Sequence, residues 1–321
     1  MTRRASSSAL AVVLALSACT APKPGWQHAT VPADLKAVTH CGDKWYVVGS
    51  YHGTSPAAFA SRDARTWTAL TLAPSPGSYY GPRSVLYSVA CANGRIAAIG
   101  AQAGGAHGNP RTSTWFQRSD TVLAEVAAPF ELYGGDEAVD ASRIAGGSRG
   151  FLITGNRTTG PAAWLSPHGA GFTRVQVGER GPLARDGIVL DDRWLVVGGS
   201  TAWSSSDGRA WVPSACDADE VQRVVAWRGQ LVLAGVRGTS YVTWLWRDGV
   251  WRELGSFGRA TPTGLRSLTV VRGRLVAAAG KVWESRDGRS WRELRAPAEP
   301  VAAAGSGDTL LLISGFSTYL R

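Results

Sequence analysis

The sequence predicts an all-β fold: a seven-bladed β-propeller of four-stranded blades, closed by an N-terminal strand that completes the last blade. Three observations carry this expectation. A turn segment recurs almost letter for letter as Ser61 to Trp67, Ser205 to Trp211 and Ser285 to Trp291, each reading Ser-x-Asp-x-Arg-x-Trp. β-rich runs ending in glycine recur at a spacing of roughly 40 to 45 residues, the size of a four-stranded blade. Seven such units begin, and only six finish.

Each unit reads as a short apolar run, a tight turn, the run ending in glycine, a loop of variable length, an aromatic strand, the Asp turn and a Trp strand. The glycine runs end at Gly49, Gly100, Gly155, Gly198, Gly235, Gly280 and Gly315. The aromatic four residues before the Asp position is Phe59, Trp115, Trp164, Trp203, Trp244 or Trp283. Weaker copies of the turn surround Asp248, His168 and the degenerate stretch Gln117 to Leu123. The seventh run leads only to Tyr319 near the C-terminus, with no Trp strand after it. At the other end, Trp26 to Pro32 reads like Trp67 to Pro74 and Trp291 to Pro297, and so supplies the missing strand. Closing a ring this way leaves only short, protected sheet edges. Enrichment in β-branched and aromatic residues, with no helical apolar period, leaves almost no helix to expect.

The N-terminus has a different character. Arg3 and Arg4 precede an apolar run from Ala9 to Leu16 and then Leu16-Ser17-Ala18-Cys19 and a Pro-containing stretch. The run is too short to cross about 30 Å of hydrocarbon, which takes about 20 residues, and reads as a signal peptide. The four residues ending in cysteine resemble the lipobox of bacterial lipoproteins. That resemblance implies residues 1–18 as the signal peptide, Cys19 as the acylated anchor, residues 19–25 as lipidated cysteine and tether, and residues 26–321 as the propeller. Two or three acyl chains hold a protein at a bilayer, since each buried methylene contributes about 0.8 kcal/mol. The expected location is the cell membrane, lipid-anchored, on the extracytoplasmic face. The chain carries a net charge of +10, and cleavage before Cys19 removes two arginines and no acid. In an exported protein this basic balance points to anionic lipids and wall polymers rather than to nucleic acid.

The Ser-x-Asp-Gly-x-x-Trp element resembles the Asp-box, or bacterial neuraminidase repeat, one residue shorter than its usual form. The likeness covers nearly all of the chain after Cys19 and implies a sialidase-like architecture. The chemistry of the element is structural. A short carboxylate accepts backbone N–H groups two or three residues on, and the Trp covers the turn with apolar area. Asp63, Asp207, Asp248 and Asp287 are therefore expected to hold turns, not substrates. The segment Gly146 to Gly150 matches Gly-x-Ser-x-Gly but falls in a turn between strands, where no nucleophile elbow forms.

In propellers of this kind the Asp turns share one face, and the post-glycine loops and interblade links form the other. After Gly49, Gly100 and Gly155 those loops are long and polar, carrying Tyr51, His52, His107, Arg111 and Arg157. The adjoining links add Tyr80, Arg83, Tyr133, Asp136 and Glu137. Function gathers on loops held by a rigid scaffold, so these residues of blades 1 to 3 are the candidate ligand face. The same map puts Cys41 and Cys91 in equivalent turns of adjacent blades and Cys216 on the opposite face, predicting a Cys41–Cys91 disulfide and a free Cys216. No metal-ligand spacing occurs, and no cofactor or metal is called for. The leading expectation is a monomeric binding or scaffold module for a protein, glycan or cell-wall partner. The alternative is a sialidase-like glycoside hydrolase, with Tyr133, Glu131, Asp136 and Glu137 as its only acidic and phenolic cluster.

Overall fold

The computed structural model describes residues 25–104, 110–181 and 183–321. Seven sheets, antiparallel but for one added strand, follow one another around an axis. Blade 1 comprises Asp34–Cys41, Lys44–Tyr51, Ser55–Ser61 and Thr68–Ala69. Blade 2 comprises Val85–Ala92, Arg95–Gln102, Arg111–Ser119 and Val122–Glu125. Blades 3 to 6 run over residues 138–176, 186–215, 220–259 and 267–294. Blade 7 takes three strands from Ala302–Ser306, Thr309–Ser314 and Ser317–Leu320, and its outer strand, Gln27–Thr30, from the other end of the chain. That closure is in register, with Gln27 opposite Leu320 and Thr30 opposite Ser317. The only helical pieces among the described residues are single turns at Gly81–Arg83 and Phe130–Tyr133.

Four of the seven recurrent glycines share one cause. In blades 1, 2, 3 and 5 the innermost strand carries a β-bulge, and the glycine of the second strand sits at it: Leu35 faces Gly49, Leu86 faces Gly100, Ala141 faces Gly155 and Val221 faces Gly235. A Cβ on Gly49 would lie 2.0 Å from the Asp34 carbonyl oxygen, and one on Gly235 2.1 Å from that of Glu220. Only a residue without a side chain lets the bulge close against its neighbour. The bulges in turn aim residues at the next blade. The Tyr87 hydroxyl donates to the Ala141 carbonyl at 2.5 Å, and the Ser142 hydroxyl to that of Ala184 at 3.3 Å.

Apolar clusters fill the seams between blades, as with Leu86, Val89 and Ile96 packed on Tyr46 and Val48. The tryptophan of the recurrent turn is part of this glue. Trp67 donates its Nε1–H to Thr318 of blade 7, Trp251 of blade 5 donates to Ser214 of blade 4, and Trp291 of blade 6 stacks on Phe257 of blade 5 at 4.3 Å.

Within the turns, Asp63 Oδ1 accepts the backbone N–H of Arg65 and Thr66 at 2.9 and 2.8 Å and the Ser61 hydroxyl at 2.8 Å. Asp207 and Asp287 repeat the pattern. Asp248 does not: it occupies a left-handed position (φ 54) before Gly249 in a tight hairpin and pairs with Arg247 at 3.6 Å. Its Asp-Gly pair suits a type I′ turn, in which both central residues have positive φ. The His168 copy keeps only the serine bond, from the Gly169 N–H to Ser166 Oγ.

Backbone N–H donors hold the Asp63, Asp207 and Asp287 carboxyls below the ordinary carboxylate range, Thr66, Arg209 and Ser290 being the foremost donors respectively. A carboxyl whose pKa is lower in the folded than in the unfolded state contributes stability that is complete above its unfolded value of about 3.9. That contribution disappears as pH falls through the folded value. The Asp63→Asn, Asp207→Asn, Asp287→Asn triple variant is therefore expected to lose less stability than the parent between pH 4 and pH 2 in urea titrations. Parallel acid profiles would show that these bonds contribute nothing.

Candidate functional site

The face opposite the Asp turns is built unevenly, and its relief lies over blades 1 to 3. The link from blade 1 first adds a fifth strand, Thr71–Ala73, parallel to the outer strand of blade 2. It then bends around Glu125, whose carboxylate accepts the Ser75 N–H at 2.9 Å and the Ser78 hydroxyl at 2.8 Å. Gly81 approaches so closely that a Cβ there would lie 2.0 Å from Glu125 Oε2. This clamp presents Tyr79 and Tyr80 outward, 60% and 36% exposed.

Across from them, the single turn Phe130–Tyr133 is pinned from beneath. Trp164 Nε1 donates to the Leu132 carbonyl at 2.7 Å, and the buried Arg157 donates to that of Gly134 at 2.8 Å while pairing with Glu137 at 3.7 Å. Tyr133 packs against the Trp164 ring at 5.6 Å, so Phe130 is the residue turned out, 51% exposed.

Between these walls lies a cavity of about 440 Å³, lined also by Arg111. The Arg111 guanidinium lies over the Phe130 ring at 4.7 Å and the Tyr80 ring at 5.9 Å, in cation–π contact. It forms no ion pair among the described residues. Among the buried polar atoms of the lining residues, Arg111 Nε has no hydrogen-bond partner, and Thr114 Oγ1 and Tyr133 OH face only each other. Thr114 is only 1% exposed. Native interiors rarely leave such groups unmatched, because each costs about 1–3 kcal/mol. A second cavity of about 850 Å³ adjoins the first through Pro110 and Thr112 and opens toward the axis, lined also by Arg83, Tyr87 and Asp140. It holds a further unmatched atom, Gln102 Oε1.

Of the expected ligand-face residues, the structure brings Tyr80, Arg111 and Tyr133 to one cavity and Arg83 to its neighbour. It turns others away. Tyr51 packs edge-on to Phe59 at 6.2 Å, Arg157 is buried as a pin, and Glu137 is its partner. His52 holds a left-handed turn position (φ 52), and neither it nor Asp136 lines either of these two cavities. His107 lies outside the described residues, as does Cys19. Cys41 and Cys91 are joined, with Cα atoms 5.4 Å apart, and Cys216 is free and buried.

Within the Tyr133, Glu131, Asp136 and Glu137 cluster, Glu137 is engaged by Arg157. Burial pushes the Tyr133 phenol up, with the Thr114 hydroxyl beside it and no carboxylate acting on it. A phenol activated for attack requires the opposite shift. Sequence reasoning overlooked Phe130 and Thr114. Phe130 was legible as an aromatic directly after Pro129 in a link, whereas Thr114 lies inside a strand and carries no such signal.

No family model and no curated protein matches the chain. Solved structures do match. One described as YCF48 bound to D1 peptide superposes with a TM-score of 0.62 at 14% identity, covering 94% of this chain and 96% of its own. PorZ, a bacterial surface component of the type-IX secretion system of Porphyromonas gingivalis, matches at 0.56 and 11% identity over 90% of this chain and 37% of its own. A chain of the mitotic checkpoint complex matches at 0.53 and 12% identity, covering 97% and 98%. At these identities the likeness shows the fold alone: a seven-bladed β-propeller.

Proposed function

We propose that this chain is a lipid-anchored extracytoplasmic propeller that binds a peptide segment of a protein partner in the aromatic cavity over blades 1 to 3. One observation carries the binding part: three exposed aromatic rings and an arginine with no ion pair among the described residues and an unpartnered Nε share a single cavity on a clamped scaffold. Tyr and Arg are among the residue types that dominate binding hot spots, and Phe is enriched at interfaces. Two of the similar propellers support a protein partner, one described as bound to D1 peptide and the other as a bacterial surface component. The anchoring part rests on Leu16-Ser17-Ala18-Cys19. No described helix is long and apolar enough to cross a membrane, and acylation of Cys19 would hold the chain at the surface. The turns that resemble Asp-boxes are structural in this reading, and no reaction is assigned to them.

Both parts are testable. Peptides selected by display on the purified protein should lose at least tenfold in affinity with Arg111→Ala or Tyr80→Ala. Peptides that bind those variants unchanged would place recognition elsewhere, and recovery of glycans in place of peptides would reassign the partner class. In cells, an alkyne-tagged palmitate should label the parent and not Cys19→Ala, which should leave the membrane fraction. Equal labelling of the two would remove the anchor.

A further inference from the structure

A second feature lies at the axis, contributed by blades 3 to 6. The Arg143 side chain reaches across the inner wall, pairing with Asp186 at 3.2 Å and donating to the Arg266 carbonyl at 3.2 Å. Arg223 donates to the same carbonyl at 3.0 Å and to that of Gln222. Arg185 pairs with Glu220 at 2.8 Å, and Glu220 also accepts from Gln222. Asp186 spends its other oxygen on the Val224 N–H. Asp140, on the inner strand of blade 3, accepts from Asn156 and Ser142 through one oxygen, Oδ1. The Arg143 and Arg223 guanidiniums thus meet at one carbonyl, the charges of Arg185 and Arg266 bear on Arg223, and the carboxylates paired within the cluster are those of Asp186 and Glu220. No sequence motif marks these arginines.

We infer that this cluster is a binding site for a phosphate group, held at the axial mouth by arginines of blades 3, 5 and 6. Burial, and then the like charges of Arg143, Arg266 and Arg185, push Arg223 well below its ordinary value against the single opposing carboxylate of Asp186. A guanidinium does not relieve such a load by giving up its proton. It is relieved by an anion, and the Arg143 and Arg223 forks, which meet at one carbonyl oxygen, suit a tetrahedral oxyanion, which accepts from more than one donor. The alternative use of the same residues is purely architectural: Arg143 and Arg223 would staple the inner strands of blades 3 and 5 to the blade 6 link through one carbonyl. The inference is independent of the blade 1 to 3 cavity.

The test uses the purified protein titrated with inorganic phosphate, and with sodium chloride at equal ionic strength, followed by calorimetry and thermal unfolding. Phosphate should bind saturably and raise the unfolding temperature, as any ligand of the native state does, while chloride should not. Arg223→Gln should weaken phosphate binding at least tenfold. Arg266→Gln keeps the carbonyl that Arg143 and Arg223 hold, so it preserves the staple while removing one cation, and should weaken binding at least fivefold. Arg111→Gln should leave phosphate binding unchanged, which separates this site from the peptide cavity. Glycerol phosphate binding as tightly as phosphate would assign the site to the phosphate of a larger molecule, and binding of the free ion alone would assign it to inorganic phosphate. An equal response to chloride, or unchanged phosphate binding in Arg266→Gln, would show the cluster to be a staple only.

Discussion

Breaking the Cys41–Cys91 bridge, by reduction or by the Cys41→Ser, Cys91→Ser double substitution, is expected to lower the unfolding temperature by about 8 °C. The bridge spans 50 residues of sequence. Constraining a loop of that length in the unfolded chain corresponds to about 4 kcal/mol, and a chain of this size shifts by roughly 2 °C per kcal/mol. Cys41 is buried in the seam between blades 1 and 2, with Cys91 packed against it, so the bridge ties two blades at their innermost turns. The third thiol does not interfere. Burial, followed by the charge of Asp217, pushes Cys216 up to about 12, and a thiol so rarely ionised neither exchanges nor alkylates readily. Differential scanning of oxidised and reduced protein reads the effect directly. A shift below 2 °C would mean that the seam holds without the bridge.

Removing residues 25 to 32 is expected to cost the protein its stable monomeric state. The strand Gln27–Thr30 covers the edge of Ser317–Leu320, the Val31 N–H donates to the Phe316 carbonyl, and the Leu35 N–H to that of Gly315. Val31 and Ala33 are fully buried in the seam between blades 7 and 1. Trp26 donates to the Arg295 carbonyl at 2.9 Å and packs in the seam between blades 6 and 7, and His28 stacks on Tyr319 at 5.1 Å. Without this strand the first and last blades remain joined by side-chain packing of the kind seen between Leu35 and Leu311, and the bared edge of Ser317–Leu320 is a template for association. Size-exclusion chromatography should show aggregate or higher oligomers in place of monomer. Adding the synthetic peptide of residues 25 to 32 in trans should restore monomer. A truncated chain that stayed monomeric with an unchanged unfolding temperature would contradict the closure.

The ring was legible in the sequence because its geometry imposes residue types at fixed places. Gly49, Gly100, Gly155 and Gly235 recur because a bulge occupies the space of their side chains, and Asp63, Asp207 and Asp287 recur because their turns need an acceptor. Asp248 resembled them in letters, but there the two-residue hairpin rather than an acceptor fixes the turn. The parallel strand Thr71–Ala73 was not legible, since three residues crossing to the next blade leave no pattern. The site was legible in outline only. Long polar loops pointed to blades 1 to 3, yet which side chains face the cavity depends on the Glu125 clamp and the Arg157 pin. Those contacts turn Phe130 out and Tyr133 in. The axial arginines were invisible for a related reason: Arg143, Arg223 and Arg266 belong to three different blades, and only ring closure brings them together.

Amide hydrogen exchange with and without a saturating display-selected peptide tests the central claim most directly. Protection is expected over residues 75–80, 111–114 and 126–134, and should vanish in Arg111→Ala at the same peptide concentration. Protection confined to the Asp-turn hairpins at residues 61–67, 205–211 and 285–291, with none around the cavity, would contradict it.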